Sequence, residues 1–290
     1  MANRSATSRG FTLLELLVVI AIIALLIGIL LPTLGVARKN AQATKSLANL
    51  RSHGQGLALY TGDHGVFVPF KMEGTHHTGR VNARYHWIIG DLLGWPPYLP
   101  QNAEEQFQFE NNNDFDRLDH PVFLDPVHSV EDMRSEQSGE IQVLRCGSYG
   151  YNFRYLGNTR GGLDGRPDAN HPVPESRVLN PSRTVSFGTS GGGIGLRPQG
   201  FREHAYTLDA PRLAPGETNT DRWGHDTASY LEARHLGRAQ AVWLDGHVAS
   251  KRLEDFGHVV GSDSLPIQDE GSNALWNGRG FDRDATTPTP

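Results

Sequence analysis

The chain has 290 residues, a formal net charge of −5 and a mean hydropathy of −0.43, which fits one soluble domain of ordinary size carrying an extension. The negative balance and the lack of a basic stripe argue against a nucleic-acid partner. Cys146 is the only cysteine, which excludes an internal disulfide and a cysteine-rich zinc site, while 33 glycines and 17 prolines favour turns and strands over many long helices.

The most apolar stretch, RGFTLLELLVVIAIIALLIGILLP, runs from Arg9 to Pro32, and from Leu16 to Leu31 every residue is apolar or glycine. As a helix, Phe11 to Leu31 would extend about 30 Å at about 1.5 Å per residue, the thickness of a bilayer core. A buried soluble helix is a poor reading because no face of the segment is polar. A secretory signal peptide suits the Arg4 and Arg9 flank. The apolar run is too long for one, however, and the nearest small-x-small site, Ala41-Gln42-Ala43, lies well past its end. A single membrane-spanning helix is the best of the three readings.

Glu15 is the misfit in that segment. A charge at the centre of a span costs about 2.5–3.5 kcal/mol on insertion scales, and less near an end. Either Glu15 snorkels to the interface, or it meets a positive group within the membrane. Cutting the chain after Gly10 would supply such a group, the new α-amino group of Phe11.

The same residues resemble the N-terminus of type IV pilins and type II secretion pseudopilins. A short basic leader ends in Gly10, Phe11 follows, Glu15 comes four residues later, and Pro32 stands where such helices commonly kink. The resemblance covers Arg9 to about Tyr60. It implies cleavage between Gly10 and Phe11 by a prepilin peptidase, N-methylation of Phe11, and pairing of Glu15 with the Phe11 amine of a neighbouring subunit. It also places the C-terminal domain outside the cytoplasm, on an inner-membrane anchor. Charge alone does not orient the helix, since Arg38, Lys39, Lys45 and Arg51 beyond it outnumber Arg4 and Arg9 before it.

Past Pro32, where a bend is expected, Ala43, Leu47, Leu50 and Leu57 share one helical face. The segment therefore reads as an amphipathic continuation packed on a globular domain, with Gly54 and Gly56 weakening its last turns and Gly62-Asp63 ending it. The alternative is an independent short helix after a break near Gly35. From Asp63 onward, short apolar runs such as VFVPF, IQVL, TVSF and AVWL alternate with Gly, Pro, Asn and Asp clusters, the pattern of strands and loops. WIIGDLLGW (Trp87 to Trp95) is a short helix or buried turn, and ENNNDFDRLDHPVFLDP is a polar loop. GTSGGGIGLRPQG is a flexible loop without phosphate-binding spacing.

In AQAVWLDGHVAS, Asp245-Gly246 suits a two-residue hairpin turn. His235 lies ten positions before Asp245, giving His-x9-Asp-Gly. With the pilin-like start, this resembles the prepilin-type proteins that carry a C-terminal His-x9-Asp-Gly domain, to which VLRCGSYGYN and NPSRTVSFGTSG are also similar. Along a straight strand His235 and Asp245 would stand about 33 Å apart at about 3.3 Å per residue. They meet only if the chain folds back near Gly237. His235, Asp245 and Gly246 are therefore read as a structural motif, not a catalytic pair.

No Gly-x-Ser-x-Gly, His-Glu-x-x-His or Cys-x-x-Cys motif is present, and no catalytic residue is expected. His76-His77 with His86 invites a transition-metal reading, but adjacent histidines in a glycine-rich loop are more often solvated. Asp114, Asp116, Asp119 and Asp125 are candidate calcium ligands, although their spacing is not that of an EF-hand and an ordinary acidic loop is preferred. No cofactor other than that calcium is expected.

The expected fold is α+β: a long N-terminal helix, membrane-spanning then amphipathic, on an antiparallel sheet. The expected segments are a leader at 1–10, the helix at 11–62, a β-rich domain at 63–270 and a disordered polar tail at 271–290. The expected role is a non-enzymatic pilin-like or pseudopilin-like subunit, with prepilin peptidase, other pilin-like subunits and inner-membrane lipid as partners. The competing role is an exported envelope binding protein that uses the helix only as an anchor.

Overall fold

The structure, a computed structural model, describes residues 13–70, 72, 74, 76–77, 83–95, 103, 107, 120–128, 134–137, 140–143, 148–157, 172–192, 207–212, 229–262 and 266–280. The chain divides into two compact units, Met1–Ala41 and Gln42–Pro290. One helix, α1 (Leu13–His64), runs through both.

In the first unit, every large apolar side chain from Leu13 to Val36 is exposed, at 44–87 %. The helix continues through Pro32, and the Thr33 hydroxyl donates to the carbonyls of Leu30 (2.9 Å) and Ile29 (3.3 Å). The carbonyl that loses its helical donor at Pro32 is that of Gly28, one residue before the two that Thr33 serves, and a spanning helix can tolerate such a break.

The second unit is α+β, with its part of α1 and a short helix, α2 (Tyr85–Leu92), packed with antiparallel strands. The principal sheet contains β3 (Tyr149–Tyr151), β4 (Val185–Gly192), β6 (Ala239–Trp243) and β7 (Val248–Lys251) in that order, and β5 (Ser229–Leu231) pairs with the far end of β4. Two further antiparallel pairs are β1 (Arg134–Gln137) with β2 (Glu140–Val143), and β8 (His258–Val260) with β9 (Pro266–Gly271).

The sheet is buried on both faces, and the alternation of a strand shows which residue goes where. Val242 and Phe187 join Leu50, Leu57, Tyr85, Ile89, Tyr149 and Tyr151 in the cluster on the helix side. Ala239, Ala241, Trp243 and Val185 join Leu231, Phe256 and Trp276 in the cluster on the other side.

Three expectations need correction. The tail is ordered through Gly280. Trp276 is fully buried, its indole N–H donates to the Phe256 carbonyl at 2.9 Å, and Gly278 O accepts from Leu179 N and Asn180 N. A single large aromatic supplied enough apolar burial to fix a segment that looked merely polar; residues 281–290 lie outside the described residues.

The supposed flexible loop at Gly188 is strand through Gly192. Glycine is needed at 188 because a Cβ there would stand 2.3 Å from Leu231 Cδ2 and 2.9 Å from the Gln240 carbonyl. The glycines of α1 likewise mark close approach, since a Cβ on Gly54 would meet Val242 Cγ2 at 2.8 Å and one on Gly56 would meet Ile89 Cγ2 at 2.3 Å. The helix accordingly passes Gly62 and ends at His64.

Candidate functional site

Two features carry functional meaning, one in each unit. In the first unit, Gly10 and Phe11 lie outside the described residues. Glu15 occupies the first turn of α1, where unpaired backbone N–H groups favour a negative charge. It is the only charged residue between Leu13 and Val36, and the helix is long and apolar enough to cross a membrane. So large an uncovered apolar surface is unfavourable in water, and its natural surroundings are lipid or other apolar helices.

In the second unit, a polar cluster lies where α1 meets the domain. The Asp125 carboxylate is fully buried. Its Oδ2 accepts from the Ser46 hydroxyl of α1 at 2.9 Å and contacts His235 Nε2 at 2.8 Å, and its Oδ1 accepts from the Val127 N–H at 3.1 Å. Burial raises the carboxyl pKa, but the His235 hydrogen bond, the charges of Arg234 and His235, and the Val127 N–H together outweigh it and leave it below the usual value. Asp125 is thus an ionised acceptor, so His235 must be the donor through Nε2–H.

The cluster extends along the helix. Tyr149 donates its hydroxyl to Ser46 Oγ at 3.2 Å, and Asn49 Nδ2 lies 3.0 Å from both the Pro121 and Leu124 carbonyls. Gln240 of β6 donates to the Ala43 carbonyl at 3.0 Å, and Gln42 donates to that of Pro126 at 3.0 Å. Next along the same face, His53 donates from Nδ1 to the Asn49 carbonyl at 2.9 Å and lies among the rings of Phe123, Tyr149 and Phe187. Burial pushes its pKa down to about 4, only partly offset by that hydrogen bond. The Tyr149 hydroxyl is held protonated by burial and by the Asp125 charge.

The two ends of the His-x9-Asp-Gly motif do different things. The chain does fold back near Gly237, as a meeting of His235 and Asp245 would require: Leu236 (φ 56°) and Gly237 (φ 71°) form a tight turn in which His235 and Arg238 exchange both backbone bonds. The fold-back nevertheless delivers His235 to Asp125, while the Asp245 carboxylate bonds the N–H and ring of its neighbour His247, at 3.2 and 2.6 Å.

The expected two-residue turn at Asp245-Gly246 is instead a three-residue loop, Leu244 to Gly246. Trp243 bonds His247, Gly246 N–H donates to the Trp243 carbonyl, and only Gly246 (φ 85°) takes a left-handed conformation. Asp245 needs no positive φ in this arrangement, in which a glycine bulge follows an ordinary turn.

Of the calcium candidates, Asp114, Asp116 and Asp119 lie outside the described residues. Asp125 is no free oxygen ligand, because hydrogen-bond donors already occupy both its oxygens. His86 is buried in the core beside Tyr85 and Phe123, whereas His76 and His77 come together with Asp91. Sequence reasoning missed Ser46, Asn49 and His53 as contact residues. Their three- and four-residue spacing matched the leucine stripe, but polar side chains on an apolar face are invisible to a search for hydrophobic periodicity.

The N-terminal segment is pilin-like by direct comparison: residues 6–31 match the prokaryotic N-terminal methylation motif. The chain is also 43 % identical over 61 residues to the type IV wide pilus major component PilA4 of Thermus thermophilus, a match covering 21 % of this chain and 47 % of that protein. The chain thus spans about half the length of this curated relative. No solved structure matches the chain.

Proposed function

We propose that this chain is a pilin-like structural subunit, cut between Gly10 and Phe11 by a prepilin peptidase, N-methylated on Phe11, and assembled into a type IV pilus or a type II secretion pseudopilus. Its anchor would lie in the inner membrane with the domain from residue 63 outside the cytoplasm. Assembly would pair Glu15 with the Phe11 amine of an adjoining subunit while the apolar helices pack together. The observation that carries this reading is a methylation motif leading into a helix whose large apolar side chains from Leu13 to Val36 are all exposed and whose single charge in that stretch is Glu15.

The domain's resemblance to the prepilin-type His-x9-Asp-Gly proteins fits the same role. A structural rather than enzymatic use of that motif is supported by the sealing of His235 and Asp125, whose side chains are 2 % and 0 % exposed. The test is mass spectrometry of the mature N-terminus together with Glu15→Ala. A chain starting at N-methylated Phe11, and a variant that inserts in the membrane but no longer assembles, are the expected results. A retained leader removes the proposal and leaves a helix that serves only as an anchor, whereas unimpaired assembly by the variant removes the pairing of Glu15 with the Phe11 amine.

A further inference from the structure

His76 and His77 precede α2 in the chain, and Asp91 stands in the last turn of that helix. His77 Nε2 lies 3.0 Å from Asp91 Oδ2, and the two imidazoles are 4.1 Å apart between centroids. One ligand atom from each of the three residues falls within 4.8 Å of the others.

A hydrogen bond joins His77 to Asp91, and the imidazole of the adjacent His76 stands against this pair and brings a third potential ligand. The chain contains its own contrast. His247 and Asp245 also pair, at 2.6 Å, and among the described residues no third His, Cys, Asp or Glu joins them.

We propose that His76, His77 and Asp91 form a binding site for a divalent transition metal of the zinc class. Two imidazole nitrogens and one carboxylate oxygen are a donor set that suits zinc, while calcium takes six to eight oxygens. Tetrahedral coordination at about 2.0–2.2 Å separates ligand atoms by about 3.3 Å. The His77–Asp91 distance already meets this. The remaining gap requires a closure of at most about 1.5 Å, taking the 4.8 Å spread against that ligand spacing.

The surroundings allow that closure. His76 is buried and forms a fixed wall, whereas the His77 side chain is 72 % exposed and swings without disturbing packing. Three protein ligands leave a fourth position for water on the exposed side. The metal would tie the His76–His77 segment to α2, whose Ile89 packs at Gly56 of α1.

The experiment uses the full-length chain in detergent, without a histidine tag and stripped by chelation. Zn²⁺ is titrated by calorimetry, and Co²⁺ is used as an absorbance probe of coordination. One saturable equivalent is expected, with a tetrahedral Co²⁺ spectrum. His77→Ala and Asp91→Ala should each weaken binding at least about tenfold, since even residues one shell further out change metal affinity by about 10–100-fold. His247→Ala should leave it unchanged. Circular dichroism checks the fold, and should Asp91→Ala disturb α2, the exposed His77 decides alone. Absence of saturable uptake, uptake that survives His77→Ala, or an equal loss in His247→Ala would overturn the assignment.

Discussion

Replacing His235 by alanine tests the junction between α1 and its domain. The Asp125 carboxylate is sealed from water and ionised, and His235 is one of its three hydrogen-bond donors, the others being Ser46 and the Val127 N–H. Removing one partner of a buried, charged hydrogen-bonded pair costs about 3–5 kcal/mol, because the remaining charge keeps its desolvation penalty without its compensation. The two surviving donors and the Arg234 charge hold the loss to the lower part of that range. About 3 kcal/mol is therefore expected for His235→Ala.

Asp245→Ala removes the other end of the same motif, where a carboxylate 36 % exposed holds His247, and should cost no more than about 1 kcal/mol. The assay is urea unfolding of the full-length chain in mild detergent, followed by the fluorescence of the buried Trp243 and Trp276. A double-mutant cycle with Asp125→Asn should give a coupling above about 1 kcal/mol. If His235→Ala and Asp245→Ala lose equal stability, or if the cycle is additive, the histidine does not tie α1 to its domain through Asp125.

Acid should weaken the domain before any carboxylate titrates. His53 and His258 are buried and held down to about 4 by burial, so the unfolded chain binds their protons more readily. Their contribution is complete above pH about 6.5 and is lost as pH falls toward 4, amounting to about 2 kcal/mol each by pH 5. Unfolding midpoints measured from pH 7.5 to 4.5 should show this drop, and His53→Leu should flatten it. Asp125 follows at lower pH: its lowered value gives stability that is full above the ordinary aspartate range and fades below it. Gly56→Ala should destabilise by up to about 2 kcal/mol net, the about 1–3 kcal/mol cost of overpacking against Ile89 being partly offset by the roughly 1 kcal/mol that alanine gains as a helix former. Trp276→Ala should cost about 3–5 kcal/mol and release the segment that ends at Gly280. In all these variants, thermal or urea unfolding is the check.

The long helix was legible because an unbroken apolar run has only a few physical solutions, and the β-rich domain was legible in the short apolar runs between turn residues. Other features stayed hidden for reasons particular to each. VFVPF reads as a strand but forms only one isolated bridge, Val66 to Pro174, with Phe67 N–H bonding the Val173 carbonyl. The His235 partner lies 110 positions away in sequence, and no local spacing announces it. Asp125 looked like one acid among several in a polar loop, yet its neighbours Val122 and Phe123 are buried beside it. Those two apolar residues inside an acidic run were the available sign that this end of the loop turns inward.

The face that α1 turns to the domain carries Ser46, Asn49, His53 and Thr61 among only two buried leucines, Leu50 and Leu57. An apolar stripe alone would hold the helix, but dispersion and burial are non-directional and tolerate sliding. Moving the helix by one residue would shift each side chain by about 1.5 Å and rotate it by about 100°. Ser46 would then leave Asp125, and Asn49 would leave the Pro121 and Leu124 carbonyls together, stranding buried polar atoms at about 1–3 kcal/mol each. The close notches at Gly54 and Gly56 impose the same register by exclusion, since any larger residue brought to those points meets Val242 or Ile89. Burial supplies the adhesion between helix and domain, while the buried acid with its histidine and the two notches select one setting of the helix. For that reason His235, rather than the more conspicuous Asp-Gly turn, is the part of the motif that fixes the structure.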